Sequence, residues 1–266
     1  GRACPVKERL CVDFRMSKLV IDINCDLGEG AGNDAAIMPY LSSANIACGF
    51  HAGNAVTMLD VVQLARKHQV AIGAHPSFHD PEHFGRRTMH IPANEIYAIV
   101  VYQLGALAAI CHTENTRMRH VKPHGALYNQ AAADRQVAGA IIAAIKDTDP
   151  GLILYGLSGS PFLSMAVAAG LSVVHEVFAD RTYNPDGTLT ARSMPHAVIT
   201  DTNSILRQVQ GFIQTETVQA TDHSILALRA DTICLHGDGL HATDFAKAIH
   251  QFLQQNQVSI QAPHEN

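Results

Sequence analysis

The feature that most constrains this chain is an alternation of short β-branched runs with longer helical stretches, repeated along almost its whole length. Candidate strands fall at 19–24, 44–48, 70–74, 120–122, 152–157, 172–178 and 232–235. Helical candidates lie between them at 54–68, 93–114, 132–147, 160–169, 200–215 and 242–255, with start signals at Asn54, Pro92 and Asp201 or Thr202. Strands alternating with helices predict a parallel sheet, because a parallel pair needs a crossover long enough to hold a helix. About seven strands without a composition break favour an α/β fold of the closed (β/α) barrel type, TIM-like. A doubly wound open sheet is the alternative. The polar stretch 180–193, with its Asp-Gly step, predicts a long ordered loop.

Almost every predicted strand ends in groups able to do chemistry. Asn24, Asp26 and Glu29 follow the first, Cys48 and His51 the second, and His75 the third. Lys122 and His124 follow the fourth, Glu176, Asp180 and Arg181 the sixth, and His236 and Asp238 the last. In a parallel barrel the carboxyl ends of all strands converge on one face, so these side chains are expected to meet.

Each residue taken alone also has a structural reading. Asn24 and Asp26 suit turns or helix caps. Gly28, Gly30 and Gly32 allow backbone N–H groups to approach an anion, yet match neither GxGxxG nor a Walker motif. The histidines can be hydrogen-bonded framework residues. A metal site built from Asp26, His51 and His75 suits a borderline divalent transition ion, although no HExxH signature accompanies it. Lys122 suits phosphate or carboxylate, or a salt bridge. Glu176 lies among Val, His and Phe, where a carboxylate needs a partner. Ser158 and Ser160 make no nucleophile motif, and no cysteine is assigned as one.

Composition narrows the class. Hydrophobic residues are 47% and charged residues 16%, which excludes a disordered chain, and the net charge of −5 without a basic run argues against nucleic acid. The six cysteines show no CxxC pair or regular spacing, so reduced thiols in a cytoplasmic protein are expected. The longest apolar stretch, 98–111, falls short of the about 20 residues a bilayer span needs and reads as a buried helix, not a membrane segment. Residues 1–15 carry no clear period and read as a disordered or vector-derived tail, or a mis-called start, ahead of one barrel domain over 16–266.

Seven runs, in order, resemble the LamB/YcsF family: IDINCDLGEG at 21–30, SANIACGFHAGN at 43–54, GAHPSFHD at 73–80, FGRR at 84–87, VKPHGALYN at 121–129, EVFADRTY at 176–183 and LHGD at 235–238. The resemblance covers roughly residues 19–255 and implies a seven-stranded barrel of the glycoside hydrolase/deacetylase type. It also implies the A subunit of an ATP-dependent 5-oxoprolinase, which cleaves 5-oxo-L-proline to L-glutamate together with B and C subunits. On that reading Lys122, Arg181 and the Gly28–Gly32 loop, with Gly28 and Gly30, hold phosphate. Asp26, Glu176 or Asp238 hold Mg2+ or act as base. His51, His75, His124 and His236 move protons or bind the substrate carboxylate. Two rivals stand beside it, a metal-dependent hydrolase or deacetylase of N-acyl sugars and a non-catalytic regulatory subunit. The sequence departs from the family at Asn54, where Asp is expected, and at His83, where Gly is commoner.

Overall fold

The computed structural model describes residues 19–237, 239 and 241–264, so the expected tail and Asp238 lie outside the described residues. The strands are β1 (Val20–Leu27), β2 (Ser43–Ala47), β3 (Ala71–His75), β4 (Met118–Val121), β5 (Ile153–Leu157), β6 (Val173–Phe178), β7 (Thr217–Gln219), β8 (Ile225–Ala227), β9 (Thr232–His236) and β10 (Ser259–Ile260). The α-helices are α1 (Asp34–Ile37), α2 (Ala55–His68), α3 (Ala93–Thr113), α4 (Gly125–Ala133), α5 (Arg135–Thr148), α6 (Pro161–Ala168), α7 (Thr202–Gln214) and α8 (Ala242–Gln255).

β1 to β6 pair in parallel in chain order, β9 follows β6, and β9 pairs back onto β1. The sheet is therefore a closed barrel of seven parallel strands, as the alternation predicts, and the open sheet is excluded. β10 adds a short pairing at Val20 and Ile21, and β7 and β8 form a separate antiparallel hairpin.

Strand alternation builds two different cores. On β1, Ile21, Ile23, Cys25 and Leu27 join the apolar layer between strands and helices. Asp22, Asn24 and Asp26 take the opposite face and are buried inside the barrel. The interior is rich in polar side chains and also holds a small apolar group of Ile153, Tyr155 and Val174. β1 continues through Asp26 to Leu27, so Asn24 and Asp26 are strand residues rather than turn formers or caps.

The outer helices start where the sequence signals them. Asn54 caps α2 by accepting from Val56 N at 2.9 Å and Thr57 N at 3.0 Å, and Asp201 caps α7 by accepting from Ser204 N at 2.8 Å. The departure at Asn54 therefore falls on a helix cap. An amide oxygen does this work as well as a carboxylate. The stretch expected to be a buried helix lies in α3, which is one-sided. Ile96, Val100, Leu104, Leu107 and Cys111 are buried against the barrel, while Tyr102 is exposed. By length and composition alone α3 could cross a membrane. Its packing against α5 and the strands makes it one of the barrel's outer helices. The loop after β6 is ordered by bridges between Arg181 and Val198 and between Tyr183 and Leu189. Cys25, Cys48, Cys111 and Cys234 are unpaired and buried.

Candidate active site

Polar side chains fill the barrel in layers that rise toward the carboxyl ends of the strands. In the lowest layer Asp22 accepts from Ser43 Oγ at 2.8 Å, Tyr155 OH at 3.0 Å, Thr232 Oγ1 at 2.6 Å and the hydroxyl of Ser42. Burial pushes the Asp22 carboxyl above its ordinary range, and the hydroxyl donors offset only part of that.

The next layer is an amide–imidazole chain. Asn24 donates to Thr232 Oγ1 at 2.8 Å, Asn45 donates to Asn24 Oδ1 at 2.7 Å and Asp26 Oδ1 at 2.9 Å, and His120 Nε2 donates to Asn45 Oδ1 at 2.8 Å. Asn45 and His120 reach each other across β3 because Gly73 lies in register between them. A Cβ on Gly73 would overlap the His120 ring at Nε2. The His120 ring stacks on Tyr155 with centroids 4.2 Å apart, and burial first, then Lys122 and His75, brings its pKa down to about 3. His120 is neutral.

Above this layer Lys122 is the hub. Its Nζ donates to Asp26 Oδ1 at 2.9 Å and to Asn24 Oδ1 at 3.2 Å, contacts Glu176 Oε1 at 2.8 Å and lies 3.0 Å from Cys234 Sγ. Tyr128 OH donates to the other Glu176 oxygen at 2.7 Å. Burial acts to lower the Lys122 pKa, but Asp26, Cys234 and Glu176 outweigh it and hold the ammonium well above its ordinary value. Burial acts to raise Asp26, but His75 and Lys122 outweigh it and hold this carboxyl well below the usual range. The partner that Glu176 requires is Lys122.

An imidazole cluster closes the mouth. His75 Nδ1 donates to the Lys122 carbonyl at 2.7 Å and His124 Nε2 to the Phe84 carbonyl at 2.8 Å. Their remaining nitrogens, His75 Nε2 and His124 Nδ1, face each other at 2.9 Å. Asp26 Oδ2 is 3.3 Å and Glu29 Oε1 3.6 Å from His75 Nε2, and Glu29 Oε1 is 3.4 Å from His124 Nδ1. His51 Nε2 donates to Glu29 Oε1 at 2.8 Å. Burial acts to lower all three imidazoles. At His75, Asp26 and Glu29 outweigh burial and raise the pKa, whereas His51 and His124 stay depressed. The loop after β3 presses on this cluster at Gly85, which has φ +64°. A Cβ there would overlap Ser77 Oγ and meet His51 Cβ at 2.8 Å.

Beside the cluster, His236 Nδ1 donates to Asp180 at 2.9 Å, and its ring stacks on Phe178 with centroids 5.7 Å apart. Burial acts to raise Asp180, but His236 outweighs it and the carboxyl is depressed. Among the described residues, two groups have the ligand atoms to hold a metal ion, each within 4.8 Å: Glu29, His51, His75 and His124, and Asp26, Cys234 and His236.

The structure thus gathers Asp26, His51, His75, Lys122, His124 and Glu176 at one end of the barrel. The residues expected to hold phosphate are engaged otherwise. Gly28 N–H donates to Asp34 Oδ2 at 3.0 Å, a carboxylate of the chain itself. Gly30 lies in the same loop with φ +86°. Arg181 donates to the carbonyls of Ala197 and Thr190 in its own loop. Burial and Arg192 bring its pKa down to about 10. Ser158 donates to the Arg229 carbonyl at 2.7 Å. His83 pairs with Asp80 at 2.9 Å in the turn before Phe84. Sequence reasoning gave no role to Asp22, Asn45, His120, Tyr128 or Tyr155. The signal for Asp22 was present, since D-x-N-x-D at 22, 24 and 26 has the strand period with apolar residues between.

The model of the LamB/YcsF family matches residues 21–266. The chain belongs to the LamB/YcsF family. It is similar to a lactam utilization protein from Thermus thermophilus, known from a crystal structure, with 44% identity over 92% of this chain and 100% of that one and a TM-score of 0.86. Among more distant folds is a mutant CE4-family pseudoenzyme with restored enzymatic activity. It shares 11% identity over 92% of this chain and 66% of that one, with a TM-score of 0.50. That likeness concerns the fold alone, and it agrees with the deacetylase-type barrel expected for the family.

Proposed function

We propose that this LamB/YcsF chain opens the lactam ring of 5-oxo-L-proline as the A subunit of an ATP-dependent 5-oxoprolinase, with B and C subunits as partners. The observation that carries this reading is the 44% identity over the full length of a lactam utilization protein. The site supports it chemically. Asp180 fixes the His236 tautomer with Nδ1 protonated, leaving Nε2 as an acceptor. Water adds to the lactam carbonyl carbon and passes a proton to His236 Nε2. As the C–N bond breaks, the imidazolium returns that proton to the ring nitrogen, giving an amine and a carboxylic acid, whose remaining proton passes to the amine to leave the ammonium carboxylate. Lys122 holds Asp26 ionised and in place beneath the reacting groups. A five-membered lactam is a stable amide whose opening is uphill without coupling, hence the ATP requirement that the family implies.

The groups expected to bind ATP and Mg2+ do not fit them. Gly28 N–H, the Arg181 guanidinium and the Lys122 ammonium are committed to Asp34, to loop carbonyls and to buried carboxylates. Lys122 and Tyr128 occupy both Glu176 oxygens and Lys122 takes Asp26 Oδ1, so only Asp26 Oδ2 remains, beside imidazole rather than in the oxygen-rich shell Mg2+ requires. We therefore assign the nucleotide to the B and C subunits and route no step through it in this chain. A second reading, a metal-dependent hydrolase of N-acyl sugars, draws on the imidazole cluster and requires turnover without partners.

His236→Gln tests the assignment in the reconstituted complex. Loss of the proton carrier lowers kcat by about 10²–10⁴ with substrate KM little changed. Wild-type kcat in a folded His236→Gln protein would remove His236 from the mechanism.

A further inference from the structure

The hydrogen bonds at the mouth leave one arrangement that the protein's own groups do not complete. Backbone carbonyls only accept, so His75 Nδ1 and His124 Nε2 each carry the ring proton they donate. With the rings neutral, His75 Nε2 and His124 Nδ1 are then two bare lone pairs aimed at each other across 2.9 Å. One proton can bridge only that pair. The surroundings offer more, because Asp26 Oδ2 and Glu29 Oε1 stand 3.3 Å and 3.6 Å from His75 Nε2 and add negative charge on the same side. Four ligand atoms around one ion at Zn–N and Zn–O lengths are about 3.3–3.4 Å apart in a tetrahedron. Four of the six separations, at 2.9 Å, 3.3 Å, 3.4 Å and 3.6 Å, bracket that value.

Ring planes decide which imidazoles take part. A nitrogen lone pair lies in the plane of its ring. The His51 ring is stacked on His124 with centroids 3.8 Å apart and planes only 5° from parallel. Nearly parallel planes do not converge, so an ion held in the His124 plane is out of reach of the His51 lone pairs. The His75 ring is turned 83° from His124, so those two planes do intersect, and their facing nitrogens are 2.9 Å apart. We infer that the mouth holds one borderline divalent transition ion of the Zn2+ class on His75 Nε2, His124 Nδ1, Asp26 and Glu29, with His51 outside the ligand set and positioning Glu29 through its Nε2–H. The carbonyls of Lys122 and Phe84 are the outer partners that fix the two imidazole tautomers, the usual arrangement behind metal-bound histidine. Lys122, with its ammonium already in contact with Asp26 Oδ1, leaves Oδ2 for the ion.

The test is metal binding itself and does not depend on the substrate. Untagged, chelator-treated protein is titrated with Zn2+ by calorimetry and with Co2+ by visible absorption, and metal content is counted after gel filtration. The expected result is one equivalent, with a Co2+ d–d spectrum of histidine and carboxylate ligation. His124→Ala and His75→Gln are each expected to abolish stoichiometric Zn2+ binding, while His51→Ala keeps one equivalent with a loss of about 10–100-fold. Circular dichroism checks that each variant is folded. Absence of stoichiometric Zn2+ or Co2+ binding by the folded wild-type chain overturns the inference. So does a pattern in which His51→Ala abolishes binding while His124→Ala does not. Either result leaves the lactam reading standing.

Discussion

Replacing Lys122 by Met tests the electrostatic design of the barrel. Lys122 is 2% exposed and is in direct contact with two carboxylates, at 2.9 Å to Asp26 and 2.8 Å to Glu176. A methionine is nearly isosteric, so the perturbation is electrostatic rather than a cavity. It leaves both carboxylates buried without the ammonium they share, Glu176 keeping only Tyr128 and Asp26 its histidine and amide neighbours. Breaking a buried pair by removing one partner costs about 3–5 kcal/mol, because the remaining charge stays desolvated. For a domain of this size each kcal/mol moves the melting midpoint by about 2–4 °C, so a drop of roughly 6–20 °C is expected. Equilibrium urea unfolding followed by circular dichroism measures the change directly, with thermal melts as a cross-check. Lys122→Met/Glu176→Gln recovers part of the loss, since one unpaired charge is gone and the substituted amide keeps an oxygen to accept from Tyr128 OH. A Lys122→Met protein within about 1 kcal/mol of wild type would refute the claim that these charges depend on one another.

Further predictions follow the same interior. Gly73→Ala drives a Cβ into the His120 ring, which is backed by Tyr155, and overpacking of this kind costs about 1–3 kcal/mol in urea unfolding. Asp22 has a folded pKa raised above 3.8 by burial, so its ionisation costs stability. That cost is absent below the unfolded value and grows as pH rises through the folded one. Asp22→Asn therefore gains stability relative to wild type as pH rises from about 4 to about 8, and a pH-independent difference between the two would contradict this. Asn54→Asp leaves stability and turnover unchanged, while Asn54→Ala loses the α2 cap and about 1 kcal/mol with turnover intact. A turnover defect in folded Asn54→Asp would show that this position does more than cap.

The barrel strands were legible as short apolar runs alternating with longer helical stretches, and the closure followed from about seven strands without a composition break. Elements without such a signal were missed. α4 opens on Gly125 without a side-chain cap, and its residues read as part of a motif rather than as a helix. The β7–β8 hairpin has strands of three residues each, too short for a period to show. At the site, polar residues after strands marked the mouth correctly as a meeting place, since strand ends converge in any parallel barrel. The interior below it was less visible. Asn45, His120 and Tyr155 sit inside strands, where barrel interiors are normally apolar. Only a register placing Gly73 between Asn45 and His120 shows why they touch. Arg181 illustrates the opposite error. Its position after β6 suggested an anion site, but its long side chain turns back to tie its own loop.

The most direct test of the proposed function is release of ADP and glutamate from 5-oxo-L-proline and Mg-ATP, with this chain alone, with the B and C subunits alone, and with all three together. The account predicts coupled release of both products only when all three are present. It also predicts that the chain alone consumes no ATP. Absence of glutamate from the complete mixture, with the same B and C subunits active beside another A subunit, would contradict it.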